Sequence, residues 1–155
     1  MLVFLSHATA DDAITESIRR HLSALGVEVY CAEHDNQAGH PLTDKVVGAI
    51  RRSDLVVVLL TPQGYDSAYV QQEVGIARAA GKLVVPLLDP GLTEKSLGVL
   101  QGVEYIELDP VEPAGGVVSL AERVAGIARQ QQRDEMILVA GAVVLIALLI
   151  YLDSR

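Results

Sequence analysis

One cysteine is all the chain has. Cys31 sits inside an apolar run, so no disulfide framework and no cysteine-based metal site can be built, and the thiol reads as a small buried hydrophobe in a reducing compartment such as the cytoplasm. Basic side chains are also few: 12 lysines and arginines face 20 aspartates and glutamates, with no cationic cluster to offset them. That balance repels a phosphate backbone and excludes nucleic acid as a partner. Neither GxGxxG nor GxxxxGK followed by Ser or Thr occurs, so a dinucleotide pyrophosphate or a nucleoside triphosphate lacks its glycine cradle. His7, His21, His34 and His40 show no ligand spacing on one element, and no metal is expected. Ser6 lacks the glycines of a nucleophile elbow, which argues against a serine hydrolase. Residues 1–5 are too short for the apolar core of a signal peptide and carry no basic flank. Repeats, low-complexity stretches and long linkers are missing as well.

What is present begins with an uncharged run near the end, MILVAGAVVLIALLIYL at 136–152. Eleven of its 17 residues are Ile, Leu or Val. At roughly −0.3 to −0.6 kcal/mol each on an insertion scale they favour the bilayer by about 3–7 kcal/mol. The alternative is a buried core helix, but such helices normally keep a polar edge. A single transmembrane helix is therefore expected, its length at the lower limit for a span. Arg123, Arg129 and Arg133 precede it and only Arg155 follows, so the folded part is expected on the cytoplasmic side of the cell membrane. The domain division is then 1–133 for a globular domain and 134–155 for an anchor with a short tail.

Leu2–Leu5 is a continuous apolar run, as in a strand buried on both faces, and Leu55–Leu60 is the most hydrophobic and should be central; Val27–Cys31 and Leu83–Leu88 read as further strands, and Val103–Leu108 as a weaker fifth at an edge. Between them lie helical patterns: Ile14, Ile18, Leu22 and Leu25; Leu42, Val46, Ala49 and Ile50; Val70, Val74 and Ala77; a short, poorly marked segment around Thr93–Leu100; and Val117, Leu120, Val124, Ile127 and Ala128. Thr9 and Asp12 have the spacing of a capping box, Pro41 suits a first helical position, and Gly26 and Gly81 are stops. Strands alternating with helices predict an α/β fold, flavodoxin-like and doubly wound, with a five-stranded parallel sheet. A phosphorelay receiver has the same element order, but Ser6-His7, Thr61-Pro62 and Leu108-Asp109 stand where its acidic cluster, aspartate and lysine belong.

Ligands of such sheets bind beyond the carboxyl ends of the strands. That edge includes Ser6-His7-Ala8, the loop 32–41, residues 61–66 and the turn 89–91. The stretch DSAYVQQE at 66–73 follows the most hydrophobic strand and opens a helix near Ser67, so Tyr69 and Glu73 share a face one turn apart. A glutamate in a second helical turn is more often merely solvated, and Tyr69 reads also as packing under a loop. Tyr30 reads equally as a strand core residue, and Glu33 and Asp35 as a solvated loop.

The blocks VFLSHATADD, VEVYCAEHDNQAGHPLTDKVVGAIRRSD, VVVLLTP and SAYVQQEVGIARAAGKLVVPLL, in that order, resemble prokaryotic TIR domains, of the Toll/interleukin-1 receptor type, over about residues 2–130. The resemblance implies a role for the aromatic-x-x-x-Glu helix, whose glutamate serves cleavage of NAD+ at the nicotinamide–ribose bond. Here these positions are Tyr69, where many members have tryptophan, and Glu73. It further implies that Tyr30 lies near the nicotinamide, that the loop holding Glu33 and Asp35 borders the pocket and mediates assembly, and that the Ser6-His7 turn closes the other wall.

One carboxylate is enough for that chemistry. Ordinary O-glycosides need a second group to protonate the leaving oxygen, whereas nicotinamide leaves as a cationic pyridinium and becomes neutral. What remains is an oxocarbenium-like ribose, which a carboxylate stabilises. The expected function is a membrane-anchored NAD+ nucleosidase of signalling or defence. NAD+ is its substrate, no cofactor is required, and activity depends on TIR–TIR self-association. A non-enzymatic TIR adaptor is the alternative, and a nucleoside deoxyribosyltransferase-like enzyme a third reading.

Overall fold

The computed structural model describes residues 1–31, 44–92 and 98–153; side chains 143, 144 and 146–153 lie outside the description. The described residues form two compact units, Met1–Ala121 and Glu122–Arg155, which are taken separately.

In the first unit the order is β1 (Leu2–Ser6), a 3-10 turn (Thr9–Asp11), α1 (Asp12–Ala24), β2 (Glu28–Cys31), α2 (Asp44–Arg52), β3 (Leu55–Leu60), α3 (Pro62–Asp66), α4 (Ala68–Ala79), β4 (Leu83–Leu88), β5 (Ile106–Glu107) and the start of α5 (Ala114–Asp153). The five strands among the described residues are all parallel in the order β2-β1-β3-β4-β5. Polar and apolar residues do not alternate along β3 because it is central: all six residues of Leu55–Leu60 are buried, as a strand covered on both faces requires.

Side chains alternate across the sheet. Phe4, Val56, Val58, Leu60, Val84 and Leu88 meet Val46, Ala49 and Ile50 of α2 and Val70, Val74 and Ala77 of α4 in one core layer. The alternate residues Val3, Leu5, Val57 and Leu59 are equally buried on the other face. A right-handed crossover assigns α1 to that second face, because the chain leaves β1 toward β2 but advances from β3 in the opposite direction. Ile18 and Leu22 of α1 are buried, as are Val117 and Leu120 of α5. Gly116 lets α5 approach β5 closely: a Cβ there would stand 2.6 Å from Leu108 Cδ1 and 2.7 Å from the Glu107 carbonyl oxygen.

The doubly wound α/β sheet is as the sequence predicts, but several local expectations need correction. The capping box does not form: neither Ala8 nor Asp11 caps its helix with a side chain, because Asp11 turns inward and Asp12 faces His7 instead. Leu25 is exposed, since α1 ends at Ala24 and the chain turns through Gly26 at a φ of 75°. The fifth strand shrinks from 103–108 to Ile106–Glu107, where Glu104 and Tyr105 are exposed at the sheet edge. A short helix, α3, precedes α4 where the sequence suggests a loop. Pro41 lies outside the described residues.

The second unit carries the latter part of α5. Met136, Ile137, Leu138, Val139 and Leu145 are exposed. No helix among the described residues is long and apolar enough to cross a membrane, so the structure does not support the transmembrane helix expected at 136–152. Side chains 143, 144 and 146–152, which make up much of that run, lie outside the described residues.

Candidate active site

The strand order reverses direction between β1 and β3, and the carboxyl ends of those two strands frame the crevice where parallel sheets bind ligands. Ser6 ends β1 in register with Val58 of β3. It lies two residues beyond Phe4 and so on the same face as α4. Helix α4 begins after Ser67, whose Oγ accepts from Val70 N at 3.4 Å. Helical periodicity then adds Glu73 to the buried stripe of Val70, Val74 and Ala77.

Glu73 has 0% of its surface exposed. Ser6 Oγ donates to Glu73 Oε2 at 2.5 Å, a length typical of a hydroxyl bonded to a carboxylate. Burial pushes the Glu73 carboxyl up to about 7, and the Ser6 hydrogen bond draws it part of the way back. Near neutral pH the group therefore exists both as acid and as anion. A solvated glutamate, the ordinary reading of its position in the sequence, is not what the structure contains.

His7 follows Ser6 and is also buried. Its Nδ1 lies 3.4 Å from the Leu5 carbonyl oxygen and its Nε2 3.5 Å from Asp12 Oδ1. Tyr69 is half-buried one turn before Glu73 on α4. Tyr30 is half-buried and stacks on Phe4 with ring centroids 5.6 Å apart and planes 25° apart. It is paired with Phe4 in the sheet register and packs against the core, on the face that also carries Ser6. Ser6 and Glu73 are thus in contact, His7 adjoins Ser6, and the two tyrosines flank them on β2 and α4. Glu33 and Asp35 lie outside the described residues. Among the described residues no cluster of His, Cys, Asp or Glu could hold a metal ion.

Two buried polar residues at the same edge are not singled out by the sequence pattern. Asp11 is 6% exposed and Thr61 3%. Thr61 Oγ1 donates to Asp11 Oδ2 at 2.8 Å and accepts from Gly64 N at 3.0 Å, which caps α3. Burial raises the Asp11 carboxyl, with the Thr61 hydroxyl opposing. The available signal was Thr-Pro directly after a strand, an N-cap followed by proline at the first helical position.

The sequence profile of the TIR domain family matches residues 3–116. The chain belongs to the TIR domain family. Solved structures agree on the fold. The CMP N-glycosidase BcmB of Clostridium botulinum is 22% identical with a TM-score of 0.53, over 77% of this chain and 98% of that one. The TIR domains of the activated Roq1 resistosome, which recognises the pathogen effector XopQ, are 17% identical with a TM-score of 0.50, over 65% and 64%. A TIR-STING receptor from C. gigas, in complex with 2',3'-cGAMP, is 24% identical with a TM-score of 0.56, over 74% of this chain and 38% of that receptor. No curated protein matches. In this TIR domain the buried Ser6–Glu73 pair sits at the crevice between the ends of β1 and β3.

Proposed function

We propose that this TIR domain is an NAD+ nucleosidase in which Glu73 stabilises the oxocarbenium-like ribose as nicotinamide leaves. The observation that carries the reading is the Glu73 carboxyl, fully buried at the switch point of the sheet and held by Ser6 at 2.5 Å. A carboxylate fixed in a low-dielectric site acts on developing positive charge far more strongly than one in water. Ser6 and His7 form one wall, and Tyr69 and Tyr30 supply aromatic surface for the base.

A carboxylate without exposed surface meets a substrate only after its surroundings open. Self-association is the proposed trigger, so activity depends on assembly; the likeness to TIR domains in an activated resistosome supports this. Attachment to a membrane through 136–152, with the TIR domain on the cytoplasmic face, is a proposal carried by the apolar run alone. Release by alkaline extraction would remove it. Signalling or defence is the role that fits an assembly-gated NAD+ hydrolase.

The test is nicotinamide release from NAD+ by the full chain concentrated on vesicles, wild type beside Glu73→Gln. Release that falls by about 10²-fold or more in the variant supports the enzyme. Assembled wild-type protein that releases none points to a non-enzymatic TIR adaptor.

One observation favours a second reading. The structural likeness to a CMP N-glycosidase spans nearly that whole chain. A pyrimidine leaves as a poor, anionic base unless it is protonated, and a carboxyl raised to about 7 can supply that proton. Release of cytosine from CMP, with NAD+ untouched, would establish it.

A further inference from the structure

Two hydroxyl–carboxylate pairs join the same two segments of the chain. The β1–α1 connection supplies Ser6 and Asp11; the β3–α4 segment supplies Glu73 and Thr61. In one pair the hydroxyl comes from the first segment, with Ser6 Oγ donating to Glu73. In the other it comes from the second, with Thr61 Oγ1 donating to Asp11 Oδ2 at 2.8 Å. All four residues are buried.

Beyond Thr61 the tie continues through three hydrogen bonds along the chain. Thr61 Oγ1 receives Gly64 N, Gly64 O receives Ser67 N at 3.3 Å, and Ser67 Oγ receives Val70 N. Gly64 presses so closely on the end of β3 that a Cβ would overlap the Leu59 carbonyl oxygen. One helical turn after Val70 stands Glu73. We infer that Asp11 is a positioning residue: through Thr61 it locks α3 and the first turn of α4 to the β1 turn, and so fixes Glu73 against Ser6.

The inference rests on the nucleosidase reading for its kinetic arm only. The Asp11 carboxylate accepts from Thr61 and shares a backbone hydrogen bond with Ala8, and the titratable groups that act on it are His7, next to the β1 end, and Asp12, on α1. Without an acceptor for Thr61, the α3 turn gains freedom and water reaches the Glu73 carboxyl. Its midpoint then falls from about 7 toward the ordinary carboxyl range.

The experiment follows the Glu73 carboxyl by ¹³C NMR, assigned by difference from Glu73→Gln, in the full chain. Asp11→Ala and Thr61→Val are expected to lower the Glu73 midpoint by at least about one unit, and kcat for nicotinamide release about tenfold with KM within about twofold. Asp11→Asn, whose amide oxygen still accepts, and Thr61→Ser, which keeps the hydroxyl, restore both readouts. The pair Asp11→Ala/Thr61→Val does no more damage than the worse single change. Thr61→Val conserves volume and carries the test if Asp11→Ala does not fold. A folded Thr61→Val protein with an unmoved midpoint overturns the inference, as does an Asp11→Asn as damaging as Asp11→Ala. If the wild type releases no nicotinamide, the nucleosidase reading fails while the NMR midpoint still decides the role of Asp11.

Discussion

Ser6 and Glu73, 67 residues apart in sequence, meet inside the protein through a hydroxyl–carboxylate hydrogen bond of 2.5 Å. The pair sets how much of Glu73 is ionised. Burial favours its acid form and the Ser6 hydroxyl favours its anion.

Ser6→Ala removes that opposing influence. The Glu73 midpoint is expected to climb above 7, and nicotinamide release at about pH 7 to fall several-fold, with much of it regained about 1.5 pH units higher. A pH series of initial rates checks this, and an unmoved profile would separate Ser6 from the ionisation of Glu73.

The wild-type pH profile distinguishes the two chemistries. Stabilising an oxocarbenium needs the anion, so kcat/KM for NAD+ is expected to rise about tenfold per pH unit below about 7 and level off above it. Protonating a pyrimidine needs the acid, and kcat/KM for CMP would fall over the range where that for NAD+ has levelled.

Stability follows the same ionisation with a definite sign. Folding raises the Glu73 carboxyl from 4.5 to about 7, so between those values the folded chain holds a proton that the unfolded chain has lost. Stability is therefore full below about 4.5, falls as pH rises to about 7, and is flat above. Asp11, also raised by burial, adds to the fall. Glu73→Gln removes the Glu73 share and is expected to exceed wild-type stability at about pH 8 by on the order of 3 kcal/mol. Denaturant titrations of both proteins on either side of that window, at about pH 5 and about pH 8, measure it.

Gly64→Ala sets two effects against each other. Alanine is the better helix former by about 1 kcal/mol. Its Cβ, however, would overlap the Leu59 carbonyl oxygen, which belongs to the backbone of the central strand and cannot turn aside. The clash is expected to win, with a net loss of about 2 kcal/mol in a denaturation midpoint comparison.

Much of the sheet was legible because its strands are apolar on both faces. Leu55–Leu60 and Leu83–Leu88 keep that pattern to their ends, and their bounds are as the runs suggest. Val103–Leu108 carries two glutamates and reads as a weaker edge strand, and of it only Ile106 and Glu107 find ladder partners on β4. Glu73 could be placed on the right helix and the right face from spacing. Its burial could not, because that depends on Ser6, a tertiary neighbour. Asp11 was hidden for a similar reason. Beside Asp12 it looks like half of an acidic helix start, and only Thr61, 50 residues away, gives it another task.

The distance in sequence between Ser6 and Glu73 also ties the site to the order in which the chain folds. No local helix or hairpin can assemble it, since a loop of 67 residues must first close. That closure is the pairing of β1 with β3, the sheet's central event, with α4 docked on it. An intermediate holding only β1, α1 and β2 would have secondary structure and no Ser6–Glu73 pair. The edges β2 and β5 can fray without parting Ser6 from Glu73, whereas any opening between β1 and β3 separates them at once. The Ser6–Glu73 contact in this domain is thus an all-or-none reporter of its central strand pairing.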